Sequence, residues 1–460
     1  MPVTIRRPAA GRALSGMDQR AGPGTGGGGF AGVSNAYRWH VVAVLLFVSL
    51  LSYADRSVLI VLVTSIKQDL GLSDTQMGVL LGPAFIILYV VASLPIGYLA
   101  DRISRRNLLL AGVAVWSVGT FACGLADSFG WLFVARAFVG VGEAAVIPCS
   151  YSLIADYFPS NTRGRATAVV AAGMGLGSGA ALYGGGVLVA LGTSWRGIAW
   201  PIIGPLEPWQ FVFAICGLTG IAAIALLATV AEPPRQDGAG TAEEGAPPRL
   251  LTFVRAHAVT VTLVLGAYVL GALILSAGSS WLPTILVRGQ GMGVEESAYL
   301  SGLIVLAVMP VTTLVGGYVG DHLTRTRASG RFLIPVVIFP FFVPAVLLAH
   351  YGMATPLIVT GVAIFYLVGG AISTTVYAAI QDVVPNRLRG QMLALYQLLA
   401  NVIGVSLAAP SVGFVTDHVL RDPDQLGLAF ILVCGPVALL GFLFALLAMK
   451  GYARLRTDIN

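Results

Sequence analysis

Of the 460 residues, 57% are hydrophobic and only 10% are charged, whereas a soluble domain carries about 25% charged residues. The formal net charge of +6 comes from basic residues spread singly or in threes between apolar blocks, not gathered on one aromatic-rich face as nucleic-acid binding requires. A soluble globular domain and a nucleic-acid partner are thereby excluded, and the composition is that of a membrane protein surrounded by lipid.

In chain order, residues 1–36 are rich in Gly, Arg and Ala and contain no apolar h-region, so they predict a disordered cytoplasmic tail and no cleavable signal. The run Gly26–Gly29 is followed by no Gly-Lys-Ser/Thr and is not a phosphate loop. Crossing a hydrocarbon core of ~30 Å takes ~20 apolar residues. Twelve such segments follow: 39–66, 75–99, 106–126, 130–156, 166–190, 209–231, 255–286, 296–320, 331–350, 355–382, 391–416 and 427–449. The stretch EPPRQDGAGTAEEGAPPR between the sixth and seventh marks a linker, 232–253. It separates two six-helix bundles, 37–231 and 254–452, with a second short tail at 453–460. With both termini cytoplasmic, 21 of the 27 basic residues fall in cytoplasmic segments, and only Lys67, Arg196, Arg288 and Arg421 fall in outer loops. That bias agrees with the positive-inside rule for a multi-pass inner (plasma) membrane protein.

The halves also repeat. DYFPSNTRGR at Asp156–Arg165 aligns with DVVPNRLRGQ at Asp382–Gln391 at an offset of 226, and GYLADRISRR at Gly97–Arg106 with GYVGDHLTRT at Gly317–Thr326 at an offset of 220. Internal duplication of this kind marks carriers that rock two halves about a midplane site.

Four ionisable residues lie clearly in the interior of predicted spans, away from their ends: Asp55, Arg56, Arg136 and Glu143. Each costs about 2.5–3.5 kcal/mol at mid-bilayer on insertion scales, a cost usually retained for function. Asp55 lies 16 residues beyond Trp39, so about 24 Å from the inner surface at about 1.5 Å per residue. Arg136 lies five residues past Trp131, so about 8 Å from the outer surface by the same rise. The levels nearly coincide, which makes Asp55 and Arg136 expected partners, and Glu143 follows two turns deeper on the face of Arg136. Burial and a nearby guanidinium act on a carboxyl's proton in opposite senses, so small changes in access can switch it on or off. Asp55 and Glu143 are therefore expected to carry a coupling proton, with Arg136 holding or releasing a carboxylate. Arg56 is open between gripping an anionic headgroup and pairing within the bundle. The same four residues also fit a structural cluster that fastens two helices.

The second half offers Ser276, Ser279, Ser280, Thr374, Tyr377, Tyr396, Gln397 and Asn401 and no clearly interior charge. A cavity charged on one wall and neutral on the other suits an amphiphile, with Arg56, Arg136, Glu143, Tyr377 and Asn401 as expected substrate contacts. The glycines of the fifth segment, Gly173, Gly175, Gly177, Gly179, Gly184, Gly185 and Gly186, are expected to permit close helix approach. Cys123, Cys149, Cys216 and Cys434 stand alone in apolar blocks, and the five histidines lie at or near block ends. No metal or other cofactor is expected.

GYLADRISRR closely resembles the loop after the second helix of the major facilitator superfamily, and its degenerate copy sits where that family keeps one. The resemblance spans residues 37–452. YADR at Tyr53–Arg56, RAFVGVGEA at Arg136–Ala144 and the glycine-rich GMGLGSGAALYGGG resemble the spinster branch, which moves lysophospholipids and sphingoid lipids. An Asp-Arg in helix 1 and an Arg-to-Glu stretch in helix 4 also occur in organic anion symporters of the superfamily. The resemblance implies an all-α integral membrane protein of twelve transmembrane helices in two pseudo-symmetric bundles. It further implies a monomeric, proton-coupled transporter of lysolipid or sphingoid amphiphiles by alternating access, or else a carrier of small organic anions. Gly97, Asp101, Arg102 and Arg105 match the motif that latches the cytoplasmic side, with Asp101 expected to cap the start of helix 11 near Gly390. No nucleophile-base set, HExxH or CxxC suggests an enzyme; a non-transporting membrane sensor is the reading from another class.

Overall fold

The computed structural model describes residues 34–195, 199–200, 204–234 and 250–459. The glycine run, most of the N-terminal tail, Arg196 and the linker centre at 235–249 lie outside the described residues.

A backbone in lipid must satisfy its own polar groups, and helices do so within one segment. Among the described residues, twelve helices are long and apolar enough to cross a membrane: Asn35–Leu70 (span 1), Asp74–Ala100 (2), Arg105–Cys123 (3), Phe129–Tyr157 (4), Thr162–Ser194 (5), Pro208–Ala228 (6), Ala258–Gln290 (7), Val294–Thr326 (8), Gly330–Tyr351 (9), Thr355–Val383 (10), Asn386–Leu420 (11) and Pro423–Thr457 (12). Ala199–Trp200 and Gly204–Pro205 form a two-residue antiparallel pair between spans 5 and 6. Twelve crossings bring both chain termini to one side, here called the terminus end; the opposite side is the loop end.

Two segments expected to be irregular are helical. Leu250–Ala256 forms a short helix that takes in the end of the expected linker. The last helix runs to Ile459 through the expected tail, where Arg456 Nη1 donates to the carbonyls of Thr324 and Ala328 at 3.3 and 3.0 Å and fastens it to the end of span 8. Span 2 is broken at Gly82 (φ −117°, ψ −89°). Pro83 follows, supplies no N–H and disfavours helical geometry in the residue before it.

The duplication recurs as contacts. Arg105 pairs with Asp156 in the first half, and Arg331 Nη1 donates to Asp382 Oδ2 at 2.6 Å in the second; from 105 to 331 and from 156 to 382 the step is again 226. Each arginine takes a second carboxylate, Glu232 at 2.8 Å for Arg105 and Asp321 at 2.5 Å for Arg331. Glu232 lies just beyond span 6. Burial opposes its charge, but hydrogen bonds from the Arg106 N–H, the Arg105 guanidinium and the Ser104 hydroxyl outweigh burial and hold its carboxyl below the ordinary glutamate range. This anchor stabilises the fold above the unfolded-chain pKa, and the contribution fades as pH falls through the lowered folded value.

The packing distinguishes the two ends. One apolar core runs from the loop-end parts of spans 1–6 (Leu59, Leu62, Met77, Leu132, Phe213) into the second half (Trp281, Ile285, Phe365). A second core, including Val41, Leu45, Leu109, Trp116, Leu153 and Leu227, is confined to the terminus-end part of the first half. The halves are therefore joined at the loop end. Within the first half, spans 3 and 4 touch backbone to backbone: a Cβ at Gly142 would stand 2.5 Å from the Gly112 carbonyl oxygen and from the Trp116 nitrogen. Of the span 5 glycines, Gly173 and Gly177 meet span 1 at Leu46 and Leu50, Gly185 meets Val61, and Gly179 and Gly186 meet span 8. A Cβ at Gly175 or Gly184 would meet nothing within 4 Å, so close approach does not account for those two. Gly142→Val is expected to cost about 1–3 kcal/mol by overpacking, read as a lowered thermal unfolding midpoint in detergent, whereas Gly175→Ala should leave that midpoint near wild type.

Candidate functional site

Asp55, Arg136 and Glu143 are buried, at 3%, 1% and 1% exposure, and Arg56 stands beside them on span 1. Two carboxylates and two guanidiniums balance in charge, which buried ions require. Arg56 Nη2 donates to Glu143 Oε2 at 3.0 Å, and the Ser52 hydroxyl donates to the same oxygen at 3.0 Å. Ser52 and Arg56 are four residues apart and so share a helix face. The Arg56 side chain is 28% exposed and that of Glu143 is fully covered, so the pair has an accessible basic side and a hidden acidic one.

The depth argument places Asp55 and Arg136 at one level, and they do meet, but not as an ion pair. Arg136 Nη1 donates to the Asp55 main-chain carbonyl at 3.4 Å, while the Asp55 carboxylate accepts from the Thr120 hydroxyl of span 3 at 3.4 Å. Matching levels do not set where the Asp55 side chain turns on its helix, and it turns to span 3. Glu143, expected two turns deeper on the face of Arg136, is the residue that pairs across to span 1.

Aromatic rings line the accessible side. The Arg56 guanidinium carbon lies 4.3 Å from the Phe85 ring centroid, 4.9 Å from that of Tyr53 and 5.2 Å from that of Tyr89. Arg136 approaches the same Phe85 ring at 5.3 Å. One aromatic ring thus attracts two cations that would otherwise repel. Ser52, Tyr53, Phe85, Tyr89 and Thr120 were not singled out from the sequence, although the spacings 52/56, 53/56 and 85/89 are those of shared helix faces.

Of the expected contacts from the second half, Tyr377 is 44% exposed and stacks edge-on against Tyr396 at 6.1 Å. Asn401 lies in the π-helical turn Ala400–Val405 of span 11. The latch motif is open. Asp101 and Arg102 are exposed, a Cβ at Gly97 or at Gly390 would meet nothing within 4 Å, and Arg102 lies over its own neighbour's ring, Tyr98, at 3.5 Å. Asp101 therefore does not cap the start of span 11 here, because the halves do not meet at that end. Arg105 is not a cross-half contact either, being occupied by Asp156 and Glu232 within the first half.

The sequence pattern of the Major Facilitator Superfamily matches residues 45–409. The chain belongs to the major facilitator superfamily. Among members of this superfamily, it is 28% identical over 426 residues to an MFS-type efflux pump of Mycolicibacterium smegmatis, covering 90% of this chain and 94% of the pump. It is 27% identical over 422 residues to protein spinster homolog 1 of Rattus norvegicus, covering 85% and 75% of the two chains. Its fold matches the crystal structure of a bacterial homolog to the human lysosomal transporter spinster, in an inward-facing and unoccupied conformation, with a TM-score of 0.75 and 26% identity over 93% of this chain and 98% of that one. The chain is thus a multi-pass major facilitator transporter that resembles the spinster branch.

Removing Glu143 leaves Arg56 and Arg136 short of a buried counter-charge, a loss of about 3–5 kcal/mol for broken buried pairs. Glu143→Ala is expected to lower the unfolding midpoint in detergent, and adding Arg56→Gln should restore much of it. Strictly additive losses in that double-mutant cycle would show that the two side chains are not coupled.

Proposed function

We propose that this chain is a proton-coupled secondary transporter that carries lysophospholipid or sphingoid-type amphiphiles with an anionic headgroup by alternating access. The observation that carries the reading is the Arg56–Glu143 pair, with its guanidinium partly exposed among three aromatic rings and its carboxylate buried.

Glu143 and Asp55 are the proton carriers in this reading. Ionised Glu143 occupies Arg56; protonated Glu143 releases it, and the free guanidinium can then take a phosphate or carboxylate in a two-pronged grip. Protonation and headgroup binding therefore favour each other, by the reciprocity that links any two binding events. Arg136 is buried too deeply to grip a headgroup in this arrangement, and acts from within the wall as the counter-charge that keeps either carboxylate affordable. Tyr53, Phe85 and Tyr89 on one wall and Tyr377, with Asn401, on the other would cover the apolar part of the substrate. Units 37–231 and 254–452 move as bodies joined by the linker 232–253, and Gly97, Asp101 and Arg102 latch the terminus end in the opposite state. The basic bias of the terminus-end loops supports a plasma-membrane protein with cytoplasmic termini, acting as a monomer.

The test is uptake into proteoliposomes under an imposed pH gradient, comparing a lysophospholipid with a small organic anion. Lysophospholipid uptake is expected to follow the gradient, and Asp55→Asn and Glu143→Gln to uncouple it. Arg56→Gln should reduce uptake about tenfold or more, the scale of one lost charge-assisted contact. Unchanged gradient dependence in both carboxylate variants would refute proton coupling, and selective uptake of the organic anion would move the substrate assignment to that class.

A further inference from the structure

His350, the next-to-last residue of span 9, is only 8% exposed. Its ring fills a slot between the end of span 7 and the start of span 12, made by two glycines: a Cβ at Gly289 would stand 2.6 Å from the ring's Cε1, and one at Gly427 2.6 Å from both Cδ2 and Nδ1. Tyr351 meets the ring edge-on at 4.3 Å. The Gln290 side chain of span 7 donates to the carbonyls of Ala349 and His350, so span 7 holds both the backbone and the ring at this end of span 9. The ring's Nδ1 is buried and has no hydrogen-bond partner among the described residues. Spans 7, 10 and 12 pack against this part of span 9, and they bring few charged groups to it. Arg288, beside Gly289, donates to Asp74 at 2.9 Å and to the Pro423 carbonyl at 3.1 Å. Around the start of span 12, Asp422 accepts from the Asp424 N–H and from the Gln425 side chain at 3.0 Å each, while Arg421 and Asp424 are exposed. Span 10 begins Thr-Pro-Leu-Ile, with no ionisable group. Among the described residues, none of these groups makes a hydrogen bond or ion pair with the His350 ring.

A free histidine titrates near pH ~6.5, but a cation sealed away from water without a partner is costly. The ring therefore keeps its slot only while it is neutral. We propose that His350 is a pH-sensitive wedge: neutral, it pins the loop ends of spans 7, 9 and 12 together; protonated, it leaves the slot and lets them loosen. The wedge contributes fully above about pH 6.5 and fades as pH falls below that value, since the ring outside the slot is the one that takes up the proton. Gly289 adjoins Arg288, and Gly427 lies one helical turn beyond Pro423, so loosening reaches the residues that seat Arg288 against the first half. In the alternating-access reading, on which this consequence rests, acid on the loop-end side of the membrane favours the state open to that side.

The test is amide hydrogen exchange of the full chain in nanodiscs, read on peptides covering 284–291, 344–352 and 424–431 and corrected for the intrinsic rate at each pH. In the wild type these segments should exchange about tenfold faster at about pH 5.5 than at about pH 7.5, the ratio that one pH unit below the ordinary histidine value sets for a ring protonated only outside its slot. His350→Asn, neutral at both values, should exchange alike at the two. Gly427→Ala, whose methyl group crowds the ring out whatever its charge, should exchange fast at both. Wild-type rates that agree at the two pH values would overturn the wedge, as would an acid effect that survives in His350→Asn. Slow exchange of Gly427→Ala at about pH 7.5 would also overturn it, since loosening would then not follow from loss of the slot. Uptake plays no part in these outcomes: a wild type that moves neither substrate class would end the transport reading while the exchange rates still decide the wedge.

Discussion

Two guanidiniums and two carboxylates share a volume in the first half where water is scarce, and none of them can be left without compensation. Spans 1, 2, 3 and 4 are bound by that requirement. Span 1 supplies one charge of each sign, span 4 supplies the other two, span 3 gives Asp55 a hydroxyl, and span 2 turns the face of Phe85 to both arginines. The close backbone contact of spans 3 and 4 at Gly112 and Gly142 follows the same logic. Glu143 lies next to Gly142, and a larger residue there would hold span 4 off span 3.

The second half has no counterpart of this cluster, but it shares the scaffold. The matched Arg–Asp pairs, 105 with 156 and 331 with 382, tie neighbouring spans at the terminus end of each half separately. Each half is thereby stiffened without being joined to the other. The joining is done at the loop end, by the apolar core that runs between the halves and by two cross-half contacts above it, Arg288 donating to Asp74 and the Thr75 N–H to Asp417. Stiff halves, joined at one end and parted at the other, are the arrangement that rocking about a midplane site requires.

Much of this was legible in the sequence, and the limits are physical. Hydrophobic length gave all twelve spans because lipid leaves the backbone little choice. The repeat at Asp156 and Asp382 was legible because duplicated chemistry leaves duplicated residues. Axial depth was legible as well, since helical rise is constant, and it set Asp55 beside Arg136. Azimuth was not. Which way Asp55 turns, and that the ion pair forms between Arg56 and Glu143 rather than between Asp55 and Arg136, depends on how helices rotate against one another, and no rise per residue contains that. Asp74 and Asp417 were hidden for another reason: each sits near a span end, where a charge looks like an ordinary loop residue until the fold brings it opposite Arg288 or Thr75. The helical course of the final residues was missed because the anchor, Arg456, finds its acceptors 128 and 132 residues earlier in the chain.

The break at Gly82 divides span 2 into two arms with different duties. The loop-end arm, Asp74–Leu81, meets Arg288 and Asp417 of the second half; the longer arm, Pro83–Ala100, carries Phe85, Tyr89 and, at its far end, the open latch. Pro83 donates no helical hydrogen bond, so the rod is interrupted at the joint between them. One helix therefore serves two contacts at once: its short arm meets the second half, and its long arm brings one aromatic ring to both arginines.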